Sequence, residues 1–457
     1  MAEVSAEAGR EEKELPRVVG EVETFLRGIL ESFTPQPPRR GGPGPARVLP
    51  AMCLWAGMLV CVLRGFRSQS QLWRLLSHYG LWSYPRVEVC DQAVRNRLIL
   101  GGSEMEALFH QTSAVLAERL APYEERGLAS FAKKLVVFDE MRLDPLARKL
   151  PMLKDGKRVD PPLLPGKLAS RFDLRKQQWE KVCFVEDANQ NEKVSASLLL
   201  AGVPEGSLIL TDLGYFAFRW FDELTRQGYF WISRLREKTS YEIVHVYYQD
   251  GDTLDALVWL GAHRADRAGH MVRLVQFRRG EHLFRYVTNV ISPLLLPMKE
   301  IARLYARRWD IEMAFKLLKR ELGLHLLWST KTEVILQQVW AVLLIAQVLQ
   351  ALRKEVAGRA GVEVFDVSMP LMIEAMPQFA MRGLDPVQTL VERGRDAGVI
   401  RPSRRLKIEA PEIKEEQMTP LPEGFVLVRK ARYAQRKCGP RPAPRRKPGA
   451  RVAKPPG

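Results

Sequence analysis

The pattern of apolar and polar residues divides the chain into regions of different texture. From residue 50 to about 130, apolar residues recur at helical spacing, which predicts an all-helical region. From 131 onward, short continuous apolar runs such as "KKLVVF" (133–138) and "SLIL" (207–210) are typical of strands buried on both faces of a sheet. Between about 240 and 290, four strand-length runs separated by turn residues predict a β-rich insert. The pattern therefore predicts an α/β core that is interrupted by strands and preceded by helices.

The stretch "YARRWDIEMAFKLLKRELGL" (305–324) has the length of a helix but carries two polar stripes. At about 100° per residue, one stripe contains Tyr305, Arg308, Glu312, Lys316 and Lys319. The second stripe lies nearly opposite and contains Arg307, Asp310 and Glu321. A surface helix needs only one polar face, so we expect the other to pack against protein. A buried carboxylate between cations then requires a functional reason.

Composition narrows the class of protein. The chain has 457 residues, of which 46% are hydrophobic, enough for a large core and two to four domains. Its five cysteines are scattered without CxxC spacing, which indicates neither a disulfide framework nor a zinc site and favours a reducing cytoplasm. The acidic N-terminus does not fit a secretory signal. The apolar run 51–63 is shorter than the about 20 residues of a membrane span, so we expect no membrane association.

Positive charge is concentrated at the C-terminus. Of the formal net charge of +17, the last 29 residues carry 11 cations and no acid. A basic segment broken by Pro and Gly is typical of a disordered tail and favours a polyanion such as nucleic acid. An alternative is a tail that only improves solubility.

A second candidate for DNA binding lies in the helical region. "SQSQLWRLLSHYG" is followed, after a turn that contains Pro, by "VCDQAVRNRLIL", which is the layout of a helix-turn-helix. Its second helix would offer Gln92, Arg95, Asn96 and Arg97 to DNA. Two helices packed together for stability give the same pattern, so both interpretations stay open.

The candidate chemistry lies in three carboxylates. Asp139 follows "KKLVVF" directly and Asp212 follows "SLIL" by one residue, so both lie at the carboxyl ends of apolar strands, where α/β proteins build sites. Together with an inward Glu312 they could not all stay ionised without a cation. Oxygen-only ligands favour Mg²⁺ or Mn²⁺. Two such ions can activate a water or hydroxyl for attack on a phosphodiester. Arg308 and Lys319 would bind phosphate oxygens of the DNA strand.

The spacing of the signature residues points to a family. The order is Tyr305, two residues, Arg308, three residues, Glu312, six residues and Lys319. It resembles the Tyr-Arg-Glu-Lys signature of DDE transposases of the insertion sequence four family. "TDLGYF" (211–216) resembles the family's second-Asp motif, and "QQVWAVLLIAQVLQ" (337–350) resembles the helix after the signature.

This resemblance, which spans roughly 130–352, implies fold and function together. The implied fold is an α/β ribonuclease-H-like mixed sheet flanked by helices, with a β-strand insertion domain and an all-helical N-terminal region. The implied activity is Mg²⁺-dependent cut-and-paste DNA transposition with two ions bound by Asp139, Asp212 and Glu312. Tyr305, Arg308, Lys316 and Lys319 would contact DNA. A homodimer on double-stranded DNA, in the bacterial cytoplasm at the nucleoid, is expected from the resemblance alone.

The expected domain organisation follows from these boundaries. It comprises an N-terminal helical segment (1–33), a Pro/Gly-rich linker (34–49), a helical and possibly DNA-binding region (50–130), the first part of the catalytic core (131–235), the β-rich insertion (236–292), the second part of the core with the signature helix (293–352), a C-terminal region (353–428) and a basic disordered tail (429–457).

One departure from the family leaves alternatives open. The family follows its first Asp with small residues, whereas this chain reads "FDEMRLDPL", so Glu140 and Arg142 are expected to crowd the strand end and Asp144 is a competing first carboxylate. We favour Asp139 because it directly terminates the strand. The departure also allows a repurposed, catalytically silent DNA-binding protein, or a nuclease that cleaves without joining. Trp259 is a candidate for stacking on an extruded base, although a strand Trp is more often core.

Overall fold

The structure is a computed structural model that describes residues 49–433 except 67, 82–85, 102–103, 144–165, 263–265, 325–326, 330, 382–383, 404 and 406–407. Its strands are β1 Leu135–Arg142, β2 Lys167–Asp173, β3 Gln178–Val185, β4 Leu208–Thr211, β5 Phe230–Arg234, β6 Tyr241–Asp250, β7 Thr253–Leu260, β8 Val272–Arg279 and β9 His282–Thr288. They form one nine-stranded sheet in the order β3-β2-β1-β4-β5-β9-β8-β7-β6.

Helices precede, interrupt and follow these strands. They are α1 Ala51–Leu63, α2 Gln69–Arg74, α3 Asp91–Leu100, α4 Glu104–Arg119, α5 Glu192–Leu200, α6 Phe218–Arg226, α7 Met298–Arg307, α8 Trp309–Arg320, α9 Thr332–Ala360, α10 Met369–Met381 and α11 Pro386–Arg393.

The centre of the sheet is parallel and its flanks are antiparallel. β4 pairs in parallel with both β1 and β5, whereas β2 runs antiparallel to β1 and β3. The continuous apolar runs of β1 and β4 fit this position, because strands buried on both faces need apolar residues at every position. This mixed α/β arrangement is consistent with the ribonuclease-H-like core that the sequence resemblance implied.

The four strands predicted between 240 and 290 are present as β6 to β9. They extend the core sheet, because β9 pairs antiparallel with β5 at Ile232↔Thr288. The long edge strand β6 is irregular at two places along its pairing with β7, and such bulges discourage pairing with other chains.

Each face of the sheet covers its own hydrophobic core. Alternate residues of β1 divide between them: Leu135 and Val137 belong to the larger core, which includes α8 and α9, and Val136 and Phe138 belong to the smaller one, which includes α5 and α6. This is the two-residue period of a strand. It therefore predicts that Asp139 points toward α8 and that the next residue, Glu140, points to the opposite face.

Helix α9 is the long apolar element of the larger core. Among the described residues it alone has the length and apolar character to cross a membrane, and 94% of its apolar window is buried inside the protein. The burial identifies it as a core helix.

The C-terminal segment returns to the sheet along its β7–β8 end. Met271 N–H donates to the Leu427 carbonyl (2.8 Å), Arg429 N–H donates to the Gly269 carbonyl (2.8 Å), and Tyr433 Oη donates to Asp222 Oδ2 (2.7 Å). The prediction of a disordered tail from residue 429 is therefore wrong for 429–433, because these backbone groups are hydrogen-bonded. The rest of that tail, the segment 1–33, most of the linker 34–49 and Asp144 lie outside the described residues.

Candidate active site

Asp139 and Asp212 occupy equivalent places at the end of two paired strands. The last parallel pair of β1 and β4 is Phe138↔Thr211, so each carboxylate belongs to the next residue. β1 does not end at Asp139 as expected, since its pairing with β2 continues to Arg142. Asp139 instead marks the point where β1 loses β4 as a neighbour. Asp139 and Asp212 therefore follow the same strand pair directly, although only Asp212 follows the end of its strand.

The surroundings of Asp139 disfavour its charge. The pKa of Asp139 is raised to about 7, mainly by burial and to a smaller extent by the charges of Glu312 and Asp212, although the Glu140 amide and Arg308 lower it. The Glu140 N–H donates to Asp139 Oδ1 at 2.8 Å. The structure thus places Asp139 within electrostatic reach of both Asp212 and Glu312.

Tyr305 holds the strand end that carries Asp212. Its ring is 3% exposed and its hydroxyl donates to the carbonyl of Thr211 at 3.3 Å. Asp212 in turn caps the short turn that follows, since its Oδ1 accepts the Leu213 N–H at 2.7 Å. The hydroxyl is turned into the protein in this arrangement, and the contact of Tyr305 with DNA stays a prediction.

Arg308 interacts electrostatically with Asp139, Asp212 and Glu312, and among the described residues two of its nitrogens have no hydrogen-bond partner. The predicted single helix is divided into α7 and α8 at this residue, whose N–H donates to Tyr305 O (3.1 Å) in a tight turn. Its side chain is 6% exposed and Nη2 donates to Glu312 Oε1 at 2.8 Å. Within the described part of the chain, Arg308 Nε and Nη1 are buried without a hydrogen-bond partner. These are two buried donors whose hydrogen-bonding capacity an anion such as a phosphate would satisfy.

A groove lies beside α8, between this helix and residues such as Arg353 and Phe365. Its volume is about 1140 Å³, and its lining includes Trp309, Met313, Lys316 and Arg320 of α8. Lys316 is exposed in this groove, whereas Lys319 is half-buried one turn further along the stripe of Glu312. The two lysines predicted to contact DNA are neighbours on the helix and differ in exposure.

One groove residue was missed by the sequence interpretation. Arg234 is the last residue of β5, is exposed and lines the groove beside Tyr305. The signal was present, because the rule that selected Asp212 at the end of β4 applies equally to the neighbouring parallel strand.

Glu140 does not crowd Asp139. The Glu140 carboxylate pairs with Lys167 Nζ at 2.5 Å, on the face of the sheet opposite α8. The crowding expected from the departure "FDEMRLDPL" therefore does not occur at this residue, because adjacent residues of a strand point to opposite faces.

The donor set fits a hard divalent cation in charge and atom type. Asp139, Asp212 and Glu312 offer only carboxylate oxygens, and their mutual repulsion contributes to the raised pKa of Asp139. As arranged here, no group of three or more His, Cys, Asp or Glu side chains in the described ranges lies close enough to hold an ion. Glu312 is engaged by Arg308 instead.

The two other candidates lie away from this site. In α3, Gln92 and Asn96 are exposed and hydrogen-bonded to each other (2.8 Å), while Val94 and Leu98 are buried. Recognition of DNA by this helix stays a prediction. Trp259 is 9% exposed and its ring is covered by the Arg429 guanidinium at 4.4 Å, so it belongs to a small core cluster and its face is not open to a base.

Comparison with known proteins supports a DDE transposase. Residues 167–349 match a family model described as a transposase DDE domain, a range that includes Asp212 and Glu312 but not Asp139. No curated protein matches the chain at a significant level. Among solved structures, a cryo-EM structure of the piggyBac transposase synaptic complex with hairpin DNA has 10% identity and a TM-score of 0.39, over 88% of this chain and 85% of that chain. So distant a likeness transfers no residue roles.

Proposed function

We propose that this protein is a DDE transposase that cleaves DNA at the ends of a mobile element and joins those ends to target DNA. The domain match over 167–349 supports the class. The observation that carries the site is the meeting of Asp139 and Asp212 at the last parallel pair of β1 and β4, within electrostatic reach of Glu312. The insertion sequence four signature supports the finer assignment.

The three carboxylates would hold two Mg²⁺ or Mn²⁺ ions, which would activate the attacking oxygen and stabilise charge at phosphorus. The unfilled Nε and Nη1 of Arg308 would bind a non-bridging phosphate oxygen in a charge-assisted hydrogen bond. Lys319 and Lys316 would contact backbone phosphates. Tyr305 would not contact the DNA. Its hydroxyl would donate to the Thr211 carbonyl and so fix the position of the next residue, Asp212.

In the proposed first step a water oxygen bonds to phosphorus and the bond from phosphorus to the 3′ oxygen breaks. This leaves a 3′-hydroxyl on the element and a 5′-phosphate on the flanking DNA. The 3′-hydroxyl oxygen then attacks a target phosphodiester and displaces its 3′ oxygen. Because two ends must be joined, we propose that the protein works as a homodimer on double-stranded DNA, in the bacterial cytoplasm at the nucleoid.

A catalytically silent DNA-binding descendant is the second candidate. It is favoured by the Arg308–Glu312 pair and by the lack of three converging metal ligands among the described residues. A nuclease that cleaves without joining differs from the transposase only in the second step. Both rivals are separated from the main proposal by measuring binding, cleavage and joining on the same DNA.

The test is to replace Glu312 by Gln and to assay a duplex that carries the element's end. The amide keeps the shape but loses the charge, so cleavage in Mg²⁺ should be abolished while duplex binding stays within about threefold of wild type. Asp139→Asn and Asp212→Asn should behave alike. If Asp139→Asn cleaves normally and Asp144→Asn does not, the first carboxylate is misassigned. Wild-type protein that binds ends but never cleaves them would favour the silent descendant.

A further inference from the structure

The end of β1 extends beyond its pairing with β4 and carries Asp139. Beyond Phe138, β1 no longer pairs with β4 and is held on one side only, by β2. The Glu140 amide, no longer needed by a neighbouring strand, donates to Asp139 Oδ1. Because this hydrogen bond joins the Glu140 backbone to the Asp139 side chain, an interaction that holds Glu140 in place also holds the carboxylate of Asp139 in place.

Glu140 is fixed by a buried lysine from the neighbouring strand. The side chains of Lys167 and Glu140 are 2% and 6% exposed, and Lys167 Nζ lies 2.5 Å from Glu140 Oε2. Lys167 Nζ also donates to the carbonyl of Gln190 at 2.6 Å. This lysine thus connects the end of β1 to the turn that precedes α5.

The local chain is shaped to admit this lysine. Lys167 is the first residue of β2 and pairs with Arg142 of β1 and Val185 of β3. The preceding Gly166 has φ +127, and a Cβ there would lie 2.5 Å from the Phe184 ring. A residue with a side chain would displace the strand at the point where Lys167 enters, which explains glycine here.

The pair lies in a pocket of polar groups behind the catalytic face. Glu140 Oε1 and the Tyr215 hydroxyl are buried without a hydrogen-bond partner in the described part of the chain. Glu192, on α5, lies against Gly214 so closely that a Cβ on this glycine would fall 1.4 Å from Glu192 Oε2. Burial and the charges of Glu140 and Asp212 raise the pKa of Glu192. Lys167 and Arg142 both lower the pKa of Glu192, and Lys167 also pairs directly with Glu140.

We propose that Glu140 and Lys167 are a positioning pair for the first catalytic carboxylate. Glu140 anchors β1 to Lys167, Lys167 anchors it to the Gln190 turn, and Asp139 is thereby held at the register of Asp212. The proposal rests on the proposed function, since it assigns the role of the pair relative to Asp139. It also gives the unusual residue after the first Asp a role.

The test compares single and paired substitutions. Lys167→Met leaves Glu140 buried without a counterion, so the melting temperature should fall by at least about 5 °C. In the double variant Glu140→Gln with Lys167→Met the charges balance again, and the melting temperature should return most of the way to wild type. If the pair positions Asp139, this folded double variant should still need about tenfold more Mg²⁺, the size of effect known for groups that orient metal ligands.

Two readouts measure the Mg²⁺ requirement. One is the Mg²⁺ concentration at half-maximal cleavage of an end duplex, and the other is the rise of melting temperature with Mg²⁺ in the absence of DNA. The conservative variant Glu140→Asp keeps the charge but shortens the anchor, so it should raise the Mg²⁺ requirement with little loss of stability. It serves as the second route if the double variant does not fold.

A matched control exists in the β insert. Arg273 and Asp255 form an ion pair at 2.6 Å with side chains 0% and 1% exposed, far along the sheet order from β1. Breaking it with Arg273→Met should lower the melting temperature and leave the Mg²⁺ requirement unchanged.

Different outcomes would contradict the role of the Glu140–Lys167 pair, the metal assignment or the proposed function. A double Glu140→Gln, Lys167→Met variant with a wild-type Mg²⁺ requirement in both readouts would reduce the pair to a structural contact and overturn the proposal. A wild-type protein whose melting temperature ignores Mg²⁺ would overturn the metal assignment and this proposal together. A normal Mg²⁺ response without any cleavage would overturn the proposed function alone.

Discussion

Two arginine–carboxylate pairs lie one residue apart on the same helical stretch and differ in how completely they are satisfied. Arg307 pairs with Asp310 at 2.7 Å, and Arg308 pairs with Glu312 at 2.8 Å. Both belong to the polar stripes that the sequence pattern placed on opposite sides of 305–324. One pair is embedded in a network of partners, whereas the other faces the candidate active site.

The Arg307–Asp310 pair is the embedded one. Asp310 is 0% exposed, accepts a hydrogen bond from Gln177 Nε2 (2.9 Å) and also pairs with Arg405. Arg307 in turn donates to Glu125 at 3.1 and 3.2 Å. This network joins the helix to segments before β1 and after α11, so its evident role is to hold them together.

The Arg308–Glu312 pair is left open. Glu312 is 30% exposed, and Arg308 keeps two donor nitrogens without a partner among the described residues. A buried donor without a partner costs free energy, so a fold that needed only stability would fill these positions. The two pairs therefore differ in two ways: among the described residues Arg308 keeps unpartnered donors and Arg307 does not, and Glu312 is more exposed than Asp310.

The largest effect on stability is expected from Asp310→Asn. Arg307 and Arg405 would lose their shared buried anion, at a cost of at least about 3 kcal/mol of unfolding free energy. Cleavage by the folded fraction should stay near wild type, because no candidate catalytic group touches Asp310. Urea unfolding and end cleavage in the cold measure the two quantities. Loss of cleavage at unchanged stability would place Asp310 in the site and erase the distinction between the stripes.

Arg308→Ala and Lys319→Ala should give the opposite result. Each removes a phosphate-directed cation, so cleavage or joining should fall at least tenfold, about 1.4 kcal/mol of transition-state stabilisation. The loss of stability should be smaller than for Asp310→Asn, because Glu312 still reaches solvent. Melting temperature and Mg²⁺-dependent cleavage are to be measured on the same samples. Variants that melt far below wild type but cleave normally in the cold would make this stripe structural as well.

The features of this comparison that depend on neighbouring residues could be predicted from the sequence. Helical spacing selected both stripes, and the strand-end rule selected Asp139 and Asp212, because each depends only on neighbouring residues. The counterions of the structural stripe were not accessible in this way. Glu125 lies 182 positions from Arg307, and periodicity does not tell which distant segment will supply an anion.

The direction of the Glu140 side chain could have been predicted from the sequence, but our interpretation was wrong. We expected it to crowd Asp139 because it is adjacent in sequence, although the two-residue period of a strand puts adjacent side chains on opposite faces. Its partner Lys167 lies beyond a long connection, so the pair itself required the structure. The same holds for Tyr305, whose signature position gave no indication that its hydroxyl would bind the Thr211 carbonyl.

The smallest effect is expected from Tyr305→Phe. This variant tests whether Tyr305, which shares a stripe with Arg308 and Glu312, contributes by positioning Asp212 rather than by contacting DNA. The change removes only the hydroxyl and its bond to the Thr211 carbonyl (3.3 Å), a contact of about 0.5–1.5 kcal/mol. If the bond holds Asp212 in place, cleavage should fall a few-fold while affinity for DNA stays unchanged, since the hydroxyl does not reach the surface. If Tyr305 instead contacts DNA, affinity should fall with cleavage. Measuring binding and single-turnover cleavage on one end duplex distinguishes the two, and a variant equal to wild type in both would remove Tyr305 from the working part of the stripe.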